Sequence, residues 1–233
     1  MDMREIDAAT GRLVRTAERL TPEEVAVPSL LPGWTRGHVL THVARNADAV
    51  AGVLEAAREG REAPMYRSEE ARDADIAAGA PRPAPEQAAD LRSSADRLAA
   101  AVAAMPEEAW AFEVRHRSGA VFSAAELLGM RYRELEYHHV DLDAGYTPGH
   151  WPEGFVSREL ESLVGRLAGA DLPAVEIAGA GTIGSGPAAL RAEGPGAALL
   201  AWLSGRSGPD GLTVTRDGER VGFEALPVPP PLA

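Results

Sequence analysis

Apolar side chains at Ile6, Leu13, Val14, Ala17 and Leu20 recur among charged neighbours at the spacing of one helix face, which predicts an amphipathic helix over residues 3–20. Thr21-Pro22-Glu23-Glu24 then combines a capping hydroxyl, a proline suited to a first helical position and an acidic first turn, so a second helix starts there before Pro28 and Pro32 stop it. Leu31-Pro32-Gly33-Trp34-Thr35 reads as a turn, with Thr35 capping a long helix that carries His38, Leu40, Val43, Val50 and Leu54. Residues 60–85 hold prolines, clustered charges and few large apolar groups; they predict a long excursion with one short helix over 69–76, and such excursions are often functional. Helical patterns resume over 85–105 and 123–144, the second opened by Ser123 and Glu126 at capping-box spacing. Between them, 110–122 suits a short hairpin turning at Ser118-Gly119.

Four long amphipathic segments bury one another most simply, so residues 1–147 are expected to form a four-helix bundle. Pro148, Gly149 and Pro152 mark a boundary, and the elements after it are shorter: a helix over 154–170, strands at 174–178, 188–193 and 212–215, and a short helix through Leu199, Leu200 and Leu203. The expected fold class is therefore α+β, with the helical bundle over 1–147 and a small C-terminal α/β domain over 148–233. From Leu226 the tail is too rich in proline to supply a core element. Gly179-Ala180-Gly181-Thr182-Ile183-Gly184 matches the dinucleotide-binding fingerprint letter for letter, but Ser185-Gly186-Pro187 stands where the required helix would begin. Nucleotide binding is rejected on that ground.

Composition narrows the functional classes. A formal net charge of −12 disfavours nucleic acid and anionic membranes as partners, because both require a positive face; a small anionic substrate held by a few arginines remains open. No stretch approaches the roughly 20 apolar residues of a membrane span, and the first residues lack a signal-peptide pattern, so a cytoplasmic protein is expected. With no cysteine, the chain has no thiol nucleophile of its own, and any thiol chemistry must come from a bound cofactor. No strongly apolar helix face is left over once both domains are built, and a monomer is expected.

Of six histidines, four fall in two helical clusters. His38 and His42 are four residues apart and share a helix face, as do Glu134 and His138. One histidine of the first pair together with Glu134 and His138 makes a three-ligand set aimed into a bundle, leaving the open coordination position that catalytic zinc uses. Asp141 and Asp143 follow closely enough to orient His138, whereas Glu136 and His139 fall off its face, at about 100° per residue, and are assigned to solvent or packing. His116 and His150 lie in predicted loops and receive no role. Trp34 reads first as a turn residue packing near the metal helix and second as a border of the pocket, whereas Tyr66 reads equally as a ligand contact or a loop anchor.

The run Gly33-Trp34-Thr35-Arg36-Gly37-His38-Val39-Leu40-Thr41-His42-Val43-Ala44-Arg45-Asn46-Ala47 resembles the metal-binding helix of the DinB-like thiol-dependent enzymes. Arg133-Glu134-Leu135-Glu136-Tyr137-His138-His139-Val140-Asp141-Leu142 resembles their second ligand motif. More specific is Pro64-Met65-Tyr66-Arg67-Ser68-Glu69-Glu70-Ala71-Arg72-Asp73-Ala74-Asp75-Ile76, which is similar to a loop of the mycothiol-dependent maleylpyruvate isomerases. The segment 199–206 looks like that family's terminal helix, and the resemblance, weakest over 175–193, covers nearly the whole chain.

This resemblance implies a DinB-like bundle in which His42, Glu134 and His138 hold a divalent metal, zinc, and in which Arg72 and Arg206 bind substrate or cofactor and take part in catalysis. It also implies mycothiol as the thiol cofactor. The implied reaction is isomerisation of maleylpyruvate to fumarylpyruvate, by addition of a thiolate to the cis double bond, rotation and elimination, in aromatic-acid breakdown downstream of gentisate. Two alternatives share the same site: a mycothiol S-transferase acting on another electrophile, and a non-catalytic binding module built on the same scaffold.

Overall fold

In the computed structural model, which describes residues 2–115 and 119–230, the first amphipathic pattern becomes helix α1 (Met3–Arg19), with Ile6, Leu13 and Ala17 on its buried face. Helix α2 (Pro22–Val25) is a single turn in which the Thr21 and Glu24 side chains each accept from the other's backbone N–H. Thr35 caps α3 (Arg36–Arg58), the longest helix. The excursion after it contains α4 (Glu69–Gly79), longer than the expected 69–76 because the helix runs on through small residues to the turn before Pro81. Helices α5 (Ala84–Ala103) and α6 (Glu126–Asp141) complete the set.

Helix α6 begins later than Ser123 predicts. Strand β1 (Glu113–Arg115) pairs antiparallel with β2 (Val121–Ser123), which keeps Ser123 extended, although the Glu126 carboxylate still reaches back to accept from the Ser123 N–H at 2.7 Å. Strand pairing here overrides the local cap. The predicted turn residue Ser118, with His116, lies outside the described residues. Helix α3 packs against α5 and α6, and α1 packs against the same two. Val50, Leu54, Leu98 and Leu127 form part of the apolar interior where they meet.

Two glycines and a glutamine seat α4 on α3. A Cβ on Gly37 would stand 2.0 Å from the Ala80 carbonyl oxygen, and one on Gly79 would stand 2.5 Å from a Thr41 methyl. Buried Gln87 of α5 then accepts from the Thr41 hydroxyl at 3.2 Å and donates to the Gly79 carbonyl at 2.9 Å. This close approach fixes α4 beside the first half of α3, where His42 lies.

The chain divides into two compact units, Met1–Tyr146 and Thr147–Ala233. The second unit contains α7 (Glu153–Leu167), β3 (Ala168–Ile177), β4 (Gly181–Glu193), α8 (Gly196–Leu203), β5 (Thr213–Arg216) and β6 (Glu219–Val221). Its four strands form one antiparallel sheet in sequence order. The dinucleotide-like run forms the turn between β3 and β4 and the first part of β4, with Gly179 and Gly184 at φ 77° and 78°. Strands β3 and β4 are both longer than predicted, and β6 is an addition. The signal for β6 was present in Asp217-Gly218, which occupies positive φ at both positions, the requirement of a two-residue hairpin turn. The fold is α+β, and among the described residues no helix is long and apolar enough to cross a membrane.

Candidate metal centre

The first turn of α3 separates its two histidines. Thr35 accepts from the His38 N–H, and His38 Nδ1 in return accepts from the Thr35 N–H at 3.2 Å, so His38 is drawn into the cap. His42, one turn further, is free to face α6. Its side chain is buried, with Nε2 2.8 Å from Glu134 Oε2 and 3.1 Å from His138 Nε2. Glu134 and His138 come from successive turns of α6 and approach each other to 3.2 Å. Among the described residues these three form the one group of histidine and carboxylate side chains whose donor atoms converge closely enough to hold a metal ion, all within 4.8 Å of one another.

Electrostatics agree with that use. Burial opposes the charge of Glu134, but hydrogen bonds from His138 and His42 hold it well below the usual carboxylate range. Burial also opposes a charged His138, yet hydrogen bonds to Asp141 and Glu134 raise it to about 9. His42, penalised chiefly by burial and then by the neighbouring His138 charge, falls to about 4. Near neutrality the three side chains therefore share one extra proton against one carboxylate charge. Two imidazole nitrogens that face each other at 3.1 Å with a carboxylate oxygen beside them form a donor set a divalent cation fits.

Asp141 accepts from His138 Nδ1 at 2.9 Å, and its side chain is almost wholly buried. That bond keeps a proton on Nδ1 and aims the Nε2 lone pair at the centre of the trio. Of the two aspartates suggested by the sequence, Asp143 does something else. It ends α6 at φ 53°, and its carbonyl accepts from the Arg36 guanidinium. Glu136 and His139 take the packing option. Both are buried; Glu136 pairs with Arg12 at 2.5 Å and accepts from the Tyr146 hydroxyl at 2.6 Å, while His139 stacks on the Tyr146 ring and meets the Thr16 hydroxyl at 2.8 Å. They fasten α6 to α1.

The structure brings Arg72 to the trio. Its guanidinium lies 3.3 Å from His42 Nδ1, with its carbon 5.7 Å from the Trp34 ring and 5.6 Å from the Tyr66 ring. Trp34 also packs edge-on to His42, with ring centroids 5.4 Å apart, whereas Tyr66 lines a cavity. Arg206 belongs to the second unit, just beyond α8, where its backbone N–H donates to Ala201 and its guanidinium donates to the Ser204 carbonyl at 3.0 Å.

A further tier escaped the sequence reading. Arg131 precedes Glu134 by one turn of α6 and is wholly buried; it donates to the Val43 carbonyl at 2.8 Å and to Asn46 Oδ1 at 2.9 Å. Burial lowers it to about 10, which leaves it cationic near neutrality. The available signal was spacing: Asn46 follows His42 by four and Arg131 precedes Glu134 by three, so each shares a helix face with a member of the trio. Beside this tier opens a cavity of about 620 Å³, walled by Val53, Met65, Tyr66, Arg72, Phe112 and Val114.

The model of one protein family, the mycothiol maleylpyruvate isomerase N-terminal domain, matches residues 6–143 of the chain. Among solved structures the chain is similar to a crystal structure of the mycothiol-dependent maleylpyruvate isomerase, with a TM-score of 0.85 and 29% identity over 98% of this chain and 95% of that one. It is similar also to a histidine-to-alanine mutant of that isomerase, with a TM-score of 0.82 and 30% identity at the same coverage. No curated protein sequence matches the chain.

Proposed function

The chain belongs to the mycothiol maleylpyruvate isomerase family, and from that membership we infer that it is a cis–trans isomerase converting maleylpyruvate to fumarylpyruvate with mycothiol. The observation that carries the reading is the convergence of His42, Glu134 and His138, beside Arg72, in a chain with no cysteine of its own. Both similar structures are of the isomerase, so the transferase reading is not carried forward.

In this reading His42, Glu134 and His138 hold one divalent metal, and the nitrogen and oxygen donor set suits zinc. When bound, the metal holds a thiol in its reactive thiolate form and mycothiol supplies the sulfur, the nucleophile that this chain lacks. Asp141 keeps the Nδ1 proton on His138 and so orients that ligand. Rotation requires the cis double bond to become single for a time, and the displaced electron pair comes to rest on the conjugated carbonyl oxygen. Arg72, held over two aromatic rings, pairs with a substrate carboxylate and stabilises the charge that develops beside it. Arg206 is proposed to serve the substrate or cofactor in the same way. Trp34 and Tyr66 keep water from the reacting atoms. The same reading makes the enzyme a cytoplasmic monomer acting downstream of gentisate in aromatic-acid breakdown.

The test is conversion of maleylpyruvate by purified, zinc-loaded protein with and without mycothiol, beside His42→Ala. Turnover that needs the thiol and is lost in the variant supports the reading. A zinc-loaded protein inert toward maleylpyruvate in the presence of mycothiol overturns it.

A further inference from the structure

The Tyr66 hydroxyl has donors for neighbours. Arg131 can only donate, and it donates to Asn46 Oδ1 at 2.9 Å; this engages the carbonyl of the Asn46 amide and leaves its NH₂ as the free end. The Arg72 guanidinium, 5.6 Å from the Tyr66 ring centroid, is likewise donor-only, and Asn46 and Arg72 both favour negative charge on the Tyr66 oxygen, as donors do. The Tyr66 oxygen is thus placed to accept. Its own proton has no hydrogen-bonded protein acceptor among the described residues, and the residue lines the cavity beside the metal trio. Burial, the first cause, raises the Tyr66 pKa, which keeps the group a phenol near neutrality.

Arg131 is otherwise hard to explain. Its Nε and Nη2 are buried without a hydrogen-bond partner, which carries a desolvation cost, and a cation one helical turn from Glu134 repels any metal bound there. Metal affinity therefore does not account for it. Its Nη1 instead ties α6 to α3 through the Val43 carbonyl and orients the Asn46 amide.

We propose that Tyr66 is a further catalytic residue, whose hydroxyl donates a hydrogen bond to the substrate carbonyl oxygen that becomes anionic during isomerisation, and that Asn46 and Arg131 are positioning residues that keep this proton directed at the substrate. The proposal rests on the isomerase reading above. As the carbon–sulfur bond forms, the π pair of the alkene moves through the conjugated system onto that oxygen. When the carbon–sulfur bond breaks after rotation, the pair returns and the trans double bond forms. Tyr66 keeps its proton throughout, so the cycle needs no acid, base or oxidant beyond the thiol.

The experiment compares the wild type, Tyr66→Phe, Asn46→Asp and the double variant, all zinc-loaded, by steady-state kinetics on maleylpyruvate with mycothiol and by metal content. Tyr66→Phe retains the ring beneath Arg72 and removes only the donor; kcat is expected to fall on the order of 10²-fold, with KM and metal content little changed. Asn46→Asp still accepts from Arg131 but also accepts from Tyr66, which turns the phenol proton inward. It should lower kcat in the wild-type background and have no added effect in Tyr66→Phe. Tyr66→Phe with kcat within about twofold of an active wild type overturns the inference and leaves the isomerase reading standing. Equal losses from Asn46→Asp in both backgrounds overturn the positioning role. A wild type that fails to isomerise overturns both readings.

Discussion

Replacing Asp141 by asparagine should weaken metal binding in a manner that depends on pH. In the metal-free protein His138 holds a proton up to about pH 9, and an incoming metal must displace it. At pH 7, two units lower, that competition weakens apparent affinity about 10²-fold, or ~2.7 kcal/mol. Asp141 is one of the groups that hold the proton, so Asp141→Asn lowers the His138 pKa and relieves part of the competition. The same carboxylate, 2.9 Å from Nδ1, makes the imidazole a better ligand, and loss of such a partner typically costs about 10- to 100-fold in affinity. The two effects oppose each other near neutrality and separate above pH 9, where no proton remains to displace. Competition titrations against a chromophoric chelator at about pH 6.5, 8 and 9.5 measure this directly. In the wild type, apparent log K should rise by about one per pH unit and level off near 9. The variant should show its full deficit at the highest pH and a smaller one at the lowest. An equal deficit at all three, or a wild-type affinity flat across the range, would refute the argument.

Stability should follow the same protons. The folded value of His138, about 9, lies above the ordinary 6.5, so its contribution to the metal-free protein is fully present below 6.5 and lost as pH rises through 9; His42, depressed to about 4, destabilises the fold as pH falls from 6.5. Thermal melts of metal-free protein should therefore peak near pH 6.5, and a Tm unchanged toward pH 9.5 would contradict this. Arg12→Met removes the guanidinium from Glu136, whose side chain is 1% exposed and keeps the Tyr146 hydroxyl; with that donor retained and Arg12 itself 29% exposed, the loss should sit at the low end for such pairs, about 3 kcal/mol. That corresponds to a fall in Tm of roughly 6–12 °C with metal affinity retained, and a fall below about 2 °C would count against it. Gly37→Ala drives a Cβ into the Ala80 carbonyl, so α4 must shift at a cost of about 1–3 kcal/mol. Because α4 carries Arg72, kcat should drop while metal content stays constant, as kinetics and metal analysis on the same preparation will show.

What the chain by itself determined is local. Thr21 and Thr35 cap where they were read, because a cap is a contract between residues three apart. Glu134 with His138, and His138 with Asp141, were legible for the same reason: helical spacing alone sets those neighbours side by side. Spacing could not choose between His38 and His42; the resemblance preferred His42, and the cap that takes His38 supplies the physical cause. Where a contact crosses elements, the sequence was silent or misleading. The β1–β2 pairing holds Ser123 out of α6, and the hairpin register extends β3 and β4 beyond their apolar runs. Arg12 with Glu136, Thr16 with His139, Gln87 with Gly79 and Arg131 with Asn46 each depend on how far one helix slides along another. That register is decided by the packing of whole faces, to which every buried side chain contributes a little. Only the tertiary structure could therefore bring two legible pairs of side chains to one candidate metal site and set an arginine, an asparagine and a tyrosine beside it.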